Sequence, residues 1–278
     1  MANENQKKTV IVATGNREKM VEIRQIFAST GIELITMKDA GVKVEVDETG
    51  TTFEENALLK ARAVAAASGR LTIADDSGLV VDAMGGEPGI HSARWMGHDT
   101  SYDIKNREII RLVDEYCAGK EAGEGISPAA GGKAGEGISP AADGKTGEGI
   151  SPSAGRKTGE DISPSAGGKT GTAGARHPGC GPDGVPGPLR SARFVCAVAA
   201  VWPDGKECTA SGVLEGRIYT EQKGFNGFGY DPIFYLPEYG MTSGQIPREE
   251  KNRIGHRGQA FSRLGEILVR ELSEETVL

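Results

Sequence analysis

Aromatic residues make up only 5% of this 278-residue chain, and no run approaches the ~18–20 consecutive apolar residues of a membrane span. Cysteine is scarce as well. The four present, Cys117, Cys180, Cys196 and Cys208, form no C-x-x-C pair and have no histidine at zinc-finger spacing. A zinc module and a dithiol redox centre are thereby excluded, and the four read as small core or surface residues in a reducing compartment. An excess of positive charge is also missing. With 32 Lys and Arg against 39 Asp and Glu, the net charge is −7. Long nucleic acids are held mainly by phosphate neutralisation, so a nucleic-acid polymer is a poor partner. A small polyphosphate, met by a metal ion and a few local cations, is not excluded. The start, MANENQKK, lacks the apolar core of a signal peptide. These absences lead to the expectation of a soluble, cytoplasmic protein with no membrane partner.

Glycine and proline are abundant, but unevenly so. Residues 119–190 hold 20 of the 41 glycines and 8 of the 13 prolines, and no Phe, Trp or Tyr. Four consecutive copies of a 12-residue repeat fill 123–170: GEGISPAAGGKA, GEGISPAADGKT, GEGISPSAGRKT and GEDISPSAGGKT. Each copy carries one large apolar residue: Ile126, Ile138, Ile150 or Ile162. That is too little apolar surface to offset ~1–2 kcal/mol of backbone entropy per ordered residue. The stretch reads as a disordered, low-complexity insertion. Its Gly-Lys-Thr triplets are not P-loops, because Ser139 and Ser163 stand where the first glycine of that motif belongs. What remains, 1–118 and 191–278, suits a single domain interrupted at a surface loop.

The first block opens with a β-branched run, Thr9 to Ala13, which predicts a buried strand. Gly15-Asn16 ends it, and Met20, Ile23, Ile26 and Phe27 continue at helical spacing behind Asn16 as N-cap. A strand, a glycine turn and a helix N-terminus together suit an anion, with Lys19 in the first turn. An ordinary strand–helix connection would look alike. Val44 to Gly50 alternates like a strand and ends in acids. Thr52-Phe53-Glu54-Glu55 reads as a capping box, with Thr52 as N-cap and Glu55 at N3. In the helix that follows, Asn56 and Lys60 share a face, either solvated or aimed at a site. Leu71 to Ala74 predicts a strand running into Asp75-Asp76 and a Ser77-Gly78 turn. Adjacent carboxylates resist desolvation unless cations neutralise them, and Mg²⁺ favours such oxygen ligands together with phosphate oxygens. Gly85 to Trp95 reads as a loop near these acids.

In the second block, Ala192 to Val201 predicts a strand. Gly224 to Phe234 is a glycine–aromatic loop in which Phe228 and Tyr230 either stack on a base or join the core. Arg248 to Ala260 is a basic segment whose helical pattern is interrupted by His256-Arg257-Gly258.

Six segments, ATGNREK, DETGTTFEENALLKA, IADDSGL, GGEPGIHSARW, GFGYDPIF and REEKNRIGHRGQA, occur in this order. Together they resemble the inosine/xanthosine triphosphate pyrophosphatase family across nearly all of 9–118 and 191–270. The resemblance implies an α/β fold: an elongated, twisted mixed sheet flanked by helices, with two lobes around a central cleft, in a homodimer. It implies Mg²⁺-dependent hydrolysis of ITP, dITP or XTP to the monophosphate and pyrophosphate. By motif, Thr14, Gly15, Asn16, Arg17, Glu18 and Lys19 form the triphosphate-binding turn. Asp76 is implied as general base and metal ligand, with Lys19 as its catalytic partner and Asp47 as a second acid near the metal. Ser77 contacts substrate. Phe228, Gly229, Tyr230 and Asp231 line the base pocket, and Lys251, His256 and Arg257 read the base. Two positions depart from the family pattern. Gly255 replaces a serine, and Asp47 stands where a glutamate is common. A nucleotide-binding module without turnover and a phosphatase releasing orthophosphate are the alternatives.

Overall fold

The computed structural model describes residues 9–123, 128 and 177–274. The repeats, and the disorder expected of them, lie outside the described residues except for Gly123 and Pro128. Seven strands form one mixed sheet: β1 (Thr9–Val12), β2 (Glu33–Thr36), β3 (Thr72–Val81), β4 (Ser191–Val201), β5 (Glu207–Ile218), β6 (Phe234–Leu236) and β7 (Met241–Thr242). Their order is β2-β1-β3-β4-β5-β6-β7. The first three are parallel and every later pairing is antiparallel. The helices are α1 (Arg17–Ile26), α2 (Phe53–Ser68), α3 (Tyr102–Glu121), α4 (Arg248–Ile254) and α5 (His256–Glu274). The expected α/β class and mixed sheet are what the chain forms.

Period-two alternation assigns each strand residue to a face. On one face, Val10, Val12, Ile73, Val198 and Ala200 pack under α1 and α5 with Met20, Ile23, Phe261 and Leu264. On the other, Ile11, Ala13, Ala74, Ala199 and Val201 pack under α2 through Ala57, Ala61 and Val64. Farther along β3 and β4, a second core gathers Leu79, Val81, Phe194, Ile218 and Phe234 with Ile109 and Val113 of α3. Each face of β3 therefore runs from apolar to polar and back to apolar. The polar middle is Asp75-Asp76-Ser77-Gly78, which continues the strand rather than turning, contrary to the sequence expectation. Its ladder with β4 is unbroken, pairing Asp75 with Val198 and Gly78 with Val195, and that ladder overrides the local turn preference.

Val44 to Gly50 also departs from expectation, since it joins no strand. Its alternation is nevertheless real. Val42, Val44, Val46 and Glu48 lie on the half-buried side, and Lys43, Glu45, Asp47 and Thr49 on the exposed side. The segment is extended without a ladder, and Gly50 N donates instead to Asn56 Oδ1 at 2.8 Å. At α2, Thr52 caps Glu55 N as expected (3.1 Å), but the Glu55 carboxylate turns back to the amide and hydroxyl of Thr51.

Residues 177–190, which the sequence reading gives to the insertion, are packed into the fold. Arg190 is fully buried. It donates to Ile218 O (2.8 Å), Pro178 O (2.9 Å) and Tyr219 O (3.3 Å), and it pairs with Asp114 of α3. Gly179 N donates to Glu121 Oε1 at 2.9 Å. The two ends of the insertion are thus tied together at its root.

Candidate active site

The connection from β1 to β2 passes through α1 on one face, and that from β2 to β3 through α2 on the other. The carboxyl end of β1 is therefore the point where the chain diverges, and such points open crevices in α/β sheets. β1 stops at Val12, its last partner on β3 being Ile73. At the far side, Leu79 N is taken by Ser92 Oγ (2.9 Å). Between these limits, no strand among the described residues pairs with Asp75–Gly78 on the β1 side. A cleft past that open edge collects side chains from both faces, including Asn16, Lys19, Glu48, Lys60, Asp76, Ser77, Phe228, Lys251, His256 and Arg257.

The adjacent aspartates belong to opposite faces and have opposite surroundings. Asp75 Oδ2 accepts from Lys19 Nζ (2.9 Å) and Ser77 Oγ (3.2 Å), and Arg257 Nε lies 3.7 Å away. Burial opposes its charge, but Lys19, Arg257 and Lys60 outweigh it and hold the carboxyl well below the usual range. Asp76 accepts from Asn56 Nδ2 and Lys60 Nζ, each at 3.3 Å. For Asp76 burial wins, helped by Glu48 and Asp75 against Lys60 and Lys19, and its pKa is raised. Lys60 also donates to Glu48 Oε1 (2.8 Å), and Arg94 donates to Glu48 Oε2 (3.2 Å). The acid that faces Asp76 across Lys60 is thus Glu48. Asp47, the sequence candidate, lies on the exposed phase of the same segment.

The turn from Thr14 to Lys19, expected from the sequence to bind triphosphate, divides. Asn16 Oδ1 accepts from Glu18 N (2.9 Å) and Lys19 N (3.2 Å), so two first-turn amides are already capped. Asn16 and Lys19 line the cleft. Thr14, Gly15 and Arg17 border an adjoining groove against 36–45. Glu18 is exposed and pairs with Arg248 at 3.1 Å.

At the other end of the cleft, Asp231 is the organising group. Its Oδ2 accepts from Lys251 Nζ (2.6 Å) and Phe228 N (2.8 Å), and its Oδ1 from Ser243 Oγ (2.8 Å). Gly227, at φ +88°, makes this possible, because a Cβ there would sit 2.1 Å from Asp231 Oδ2. Lys251 Nζ and Arg257 Cζ lie 5.2 and 5.5 Å from the Phe228 ring centroid. Both cations are anchored by a buried α1 carboxylate, Glu22: Lys251 at 3.3 Å and Arg257 by a short contact. Arg257 also donates to Ser77 Oγ (3.1 Å), linking the two ends. His256 stacks on Phe194 (4.8 Å, 18°), and burial pushes its pKa well down, so it is neutral. Tyr230 is wall rather than platform: its ring is buried and its hydroxyl donates to Ser92 O (2.8 Å). Glu22, Glu48 and Arg94 were not singled out from the sequence. Glu22 lies three residues after Lys19 on one helix face, and Glu48 shares the phase of Val44 and Val46; those were the available signals.

The same chain segments match a known family model. Residues 10–123 and 183–267 fit the model described as Ham1 family. This chain belongs to the Ham1 family. Ham1 relatives include the dITP/XTP pyrophosphatase of Listeria monocytogenes, 35% identical over 96% of this chain and 98% of that protein. Another is the dITP/XTP pyrophosphatase of Nitratidesulfovibrio vulgaris, 36% identical over 94% and 96%. The structure of a HAM1 protein from Coxiella burnetii is similar with a TM-score of 0.64 at 26% identity, covering 95% of this chain and all of that one. Among the described residues no helix is long and apolar enough to cross a membrane.

Proposed function

We propose that this Ham1 chain hydrolyses nucleoside triphosphates of deaminated purines, ITP, dITP and XTP, to the monophosphate and pyrophosphate. One observation carries the reading. A single cleft has a carboxylate–lysine end, Asp76–Lys60–Glu48, and a cation–aromatic end, Phe228 with Lys251 and Arg257.

Triphosphate cleavage of this kind calls on a divalent cation, which we assign as Mg²⁺. No cluster of three or more His, Cys, Asp or Glu among the described residues would cage a metal alone. Two carboxylates at one cleft wall plus substrate phosphates fit Mg²⁺, which keeps several waters and few protein ligands. Asp76 and Glu48 would hold it, and when bound it neutralises phosphate charge and acidifies water. Asp76 takes the proton of the attacking water, since Asp75 Oδ2 is already held by Lys19 and Ser77. Asn56 and Lys60 orient that carboxylate. Lys19 and the α1 N-terminus stabilise charge on the departing pyrophosphate.

Base choice follows from donors. The Lys251 ammonium has three, two of them committed to Asp231 and Glu22, and the third can meet a purine keto oxygen. A buried donor facing a 6-amino group stays unpaired, at about 1–3 kcal/mol. Gly255 has a steric cause, since a Cβ there would lie 2.5 Å from Lys251 O. It offers no hydroxyl, so base selectivity is looser than with serine. The family resemblance extends this reading to a homodimer in the cytoplasm.

The test is product analysis with ITP, dITP, XTP, ATP and GTP plus Mg²⁺. Orthophosphate as the sole released phosphate would sink the proposal, and binding without turnover would favour a nucleotide-binding module.

A further inference from the structure

α3 starts at Tyr102, behind the N-cap Ser101. The Tyr102 ring is held by two side chains and lies next to Gly229. A Cβ built on Gly229 would touch its edge at 3.5 Å, the Tyr230 ring meets it edge-to-face (5.1 Å, 88°), and Lys105 Nζ lies 5.1 Å from its centroid. The remaining surface, 37% of the residue, is open and lines the cleft. Its hydroxyl, unlike that of Tyr230, makes no hydrogen bond among the described residues.

Its place along the wall says what it faces. Gly229 follows Phe228, the aromatic of the base end. Lys105 donates to Ala93 O (2.9 Å), and Arg94, the next residue, reaches Glu48 at the phosphate end. Tyr102 therefore lines the same cleft as both ends, beside Gly229 on one side and, through Lys105, beside the 93–94 segment on the other. A nucleotide with its base at one end and its phosphates at the other would pass this wall with its sugar.

We propose that Tyr102 contacts the sugar of the bound nucleotide, its hydroxyl hydrogen-bonding to a ribose hydroxyl and its ring edge packing on the ribose carbons. The assignment rests on the nucleotide reading above. Burial raises the phenol pKa, so the group remains a donor through neutral pH. Neither base nor phosphate recognition uses this residue; it sets how much binding the sugar contributes.

The test compares the wild type with Tyr102→Phe on ITP, dITP and 2′,3′-dideoxy-ITP. The variant keeps the ring and its contacts with Tyr230 and Lys105. Expected is a loss of kcat/KM on ITP of about 3- to 10-fold, with no loss on the dideoxy substrate. dITP behaving like ITP assigns the 3′-hydroxyl; dITP behaving like the dideoxy compound assigns the 2′-hydroxyl. An equal loss on all three, as a merely structural role would give, overturns the proposal, as does no loss on any. If the wild type turns over none of them, the reaction assignment fails separately, and the ratios of calorimetric Kd values across the same series still decide the role of Tyr102.

Discussion

Glu22→Gln is the perturbation that most directly probes the buried ionic seam. Glu22 lies between Lys251 and Arg257, and all three side chains are less than a tenth exposed. An amide has one acceptor, so one of the two cations must face an NH₂ group. Lys251 retains Asp231 at 2.6 Å, whereas among the described residues Arg257 keeps Ser77 and a 3.7 Å approach to Asp75. The amide oxygen therefore turns to Arg257, and one charge-assisted bond to Lys251 is lost. Such bonds contribute about 1.5–3 kcal/mol, and the underpaired cation places the loss toward the upper part of that range. For a domain of this size about 1 kcal/mol shifts Tm by roughly 2–4 °C, so calorimetry should show a fall of about 4–12 °C. The fall should persist in 1 M NaCl, because buried pairs are poorly screened. A matched control is Glu207→Gln, which breaks the half-exposed Arg62–Glu207 pair and should move Tm by no more than a few degrees. A Glu22→Gln protein that melts within a degree of wild type would show that this seam does not hold the cation–aromatic end of the cleft together.

Asp76→Asn should abolish turnover, by at least about 100-fold, while Tm stays level or rises. The raised pKa means the fold disfavours the ionised form, so a neutral amide relieves that cost; near-normal activity would show that the base lies elsewhere. His256 gives a pH signature. Its folded pKa lies well below 6.5, so the unfolded chain binds the proton first. Stability is full above pH 6.5 and falls below it, by up to about 1.4 kcal/mol per pH unit. Urea unfolding at pH 7.5, 6.5 and 5.5 should show this slope flattened in His256→Gln, and parallel curves would contradict it. Replacing 124–176 by a short Gly-Ser linker should leave kcat/KM within about threefold, whereas deleting 119–190 removes Arg190 and should yield no folded protein by circular dichroism.

What could be read in advance follows local physics. β1, the Asn16 cap, α2 and the β4 strand announce themselves through apolar period and capping residues. The aspartate pair was legible as chemistry but not as geometry. Asp75-Asp76-Ser77-Gly78 has the composition of a turn, and only the ladder to β4 keeps it extended and sends its carboxylates to opposite faces. Glu48 rather than Asp47 meets Lys60 for a related reason: the alternation of the segment is visible in the sequence, but which phase faces the cleft depends on packing against α2. Glu22 and Arg190 are buried charges whose partners lie far along the chain, and no local pattern shows those. The family resemblance supplied the base-pocket residues; the structure adds that Asp231 and Glu22 hold the cations that would do the reading.

The tied root of the insertion has a consequence for how this chain can change. Arg190, Asp114, Glu121 and Gly179 fix the two anchor points independently of what lies between them. Loop-closure cost rises by only about 0.6 kcal/mol for each doubling of length. Copies of the 12-residue unit can therefore be gained or lost by slippage with almost no thermodynamic penalty on the enzyme. Repeat number should vary freely among close relatives, at a position where the domain would equally accept a foreign sequence.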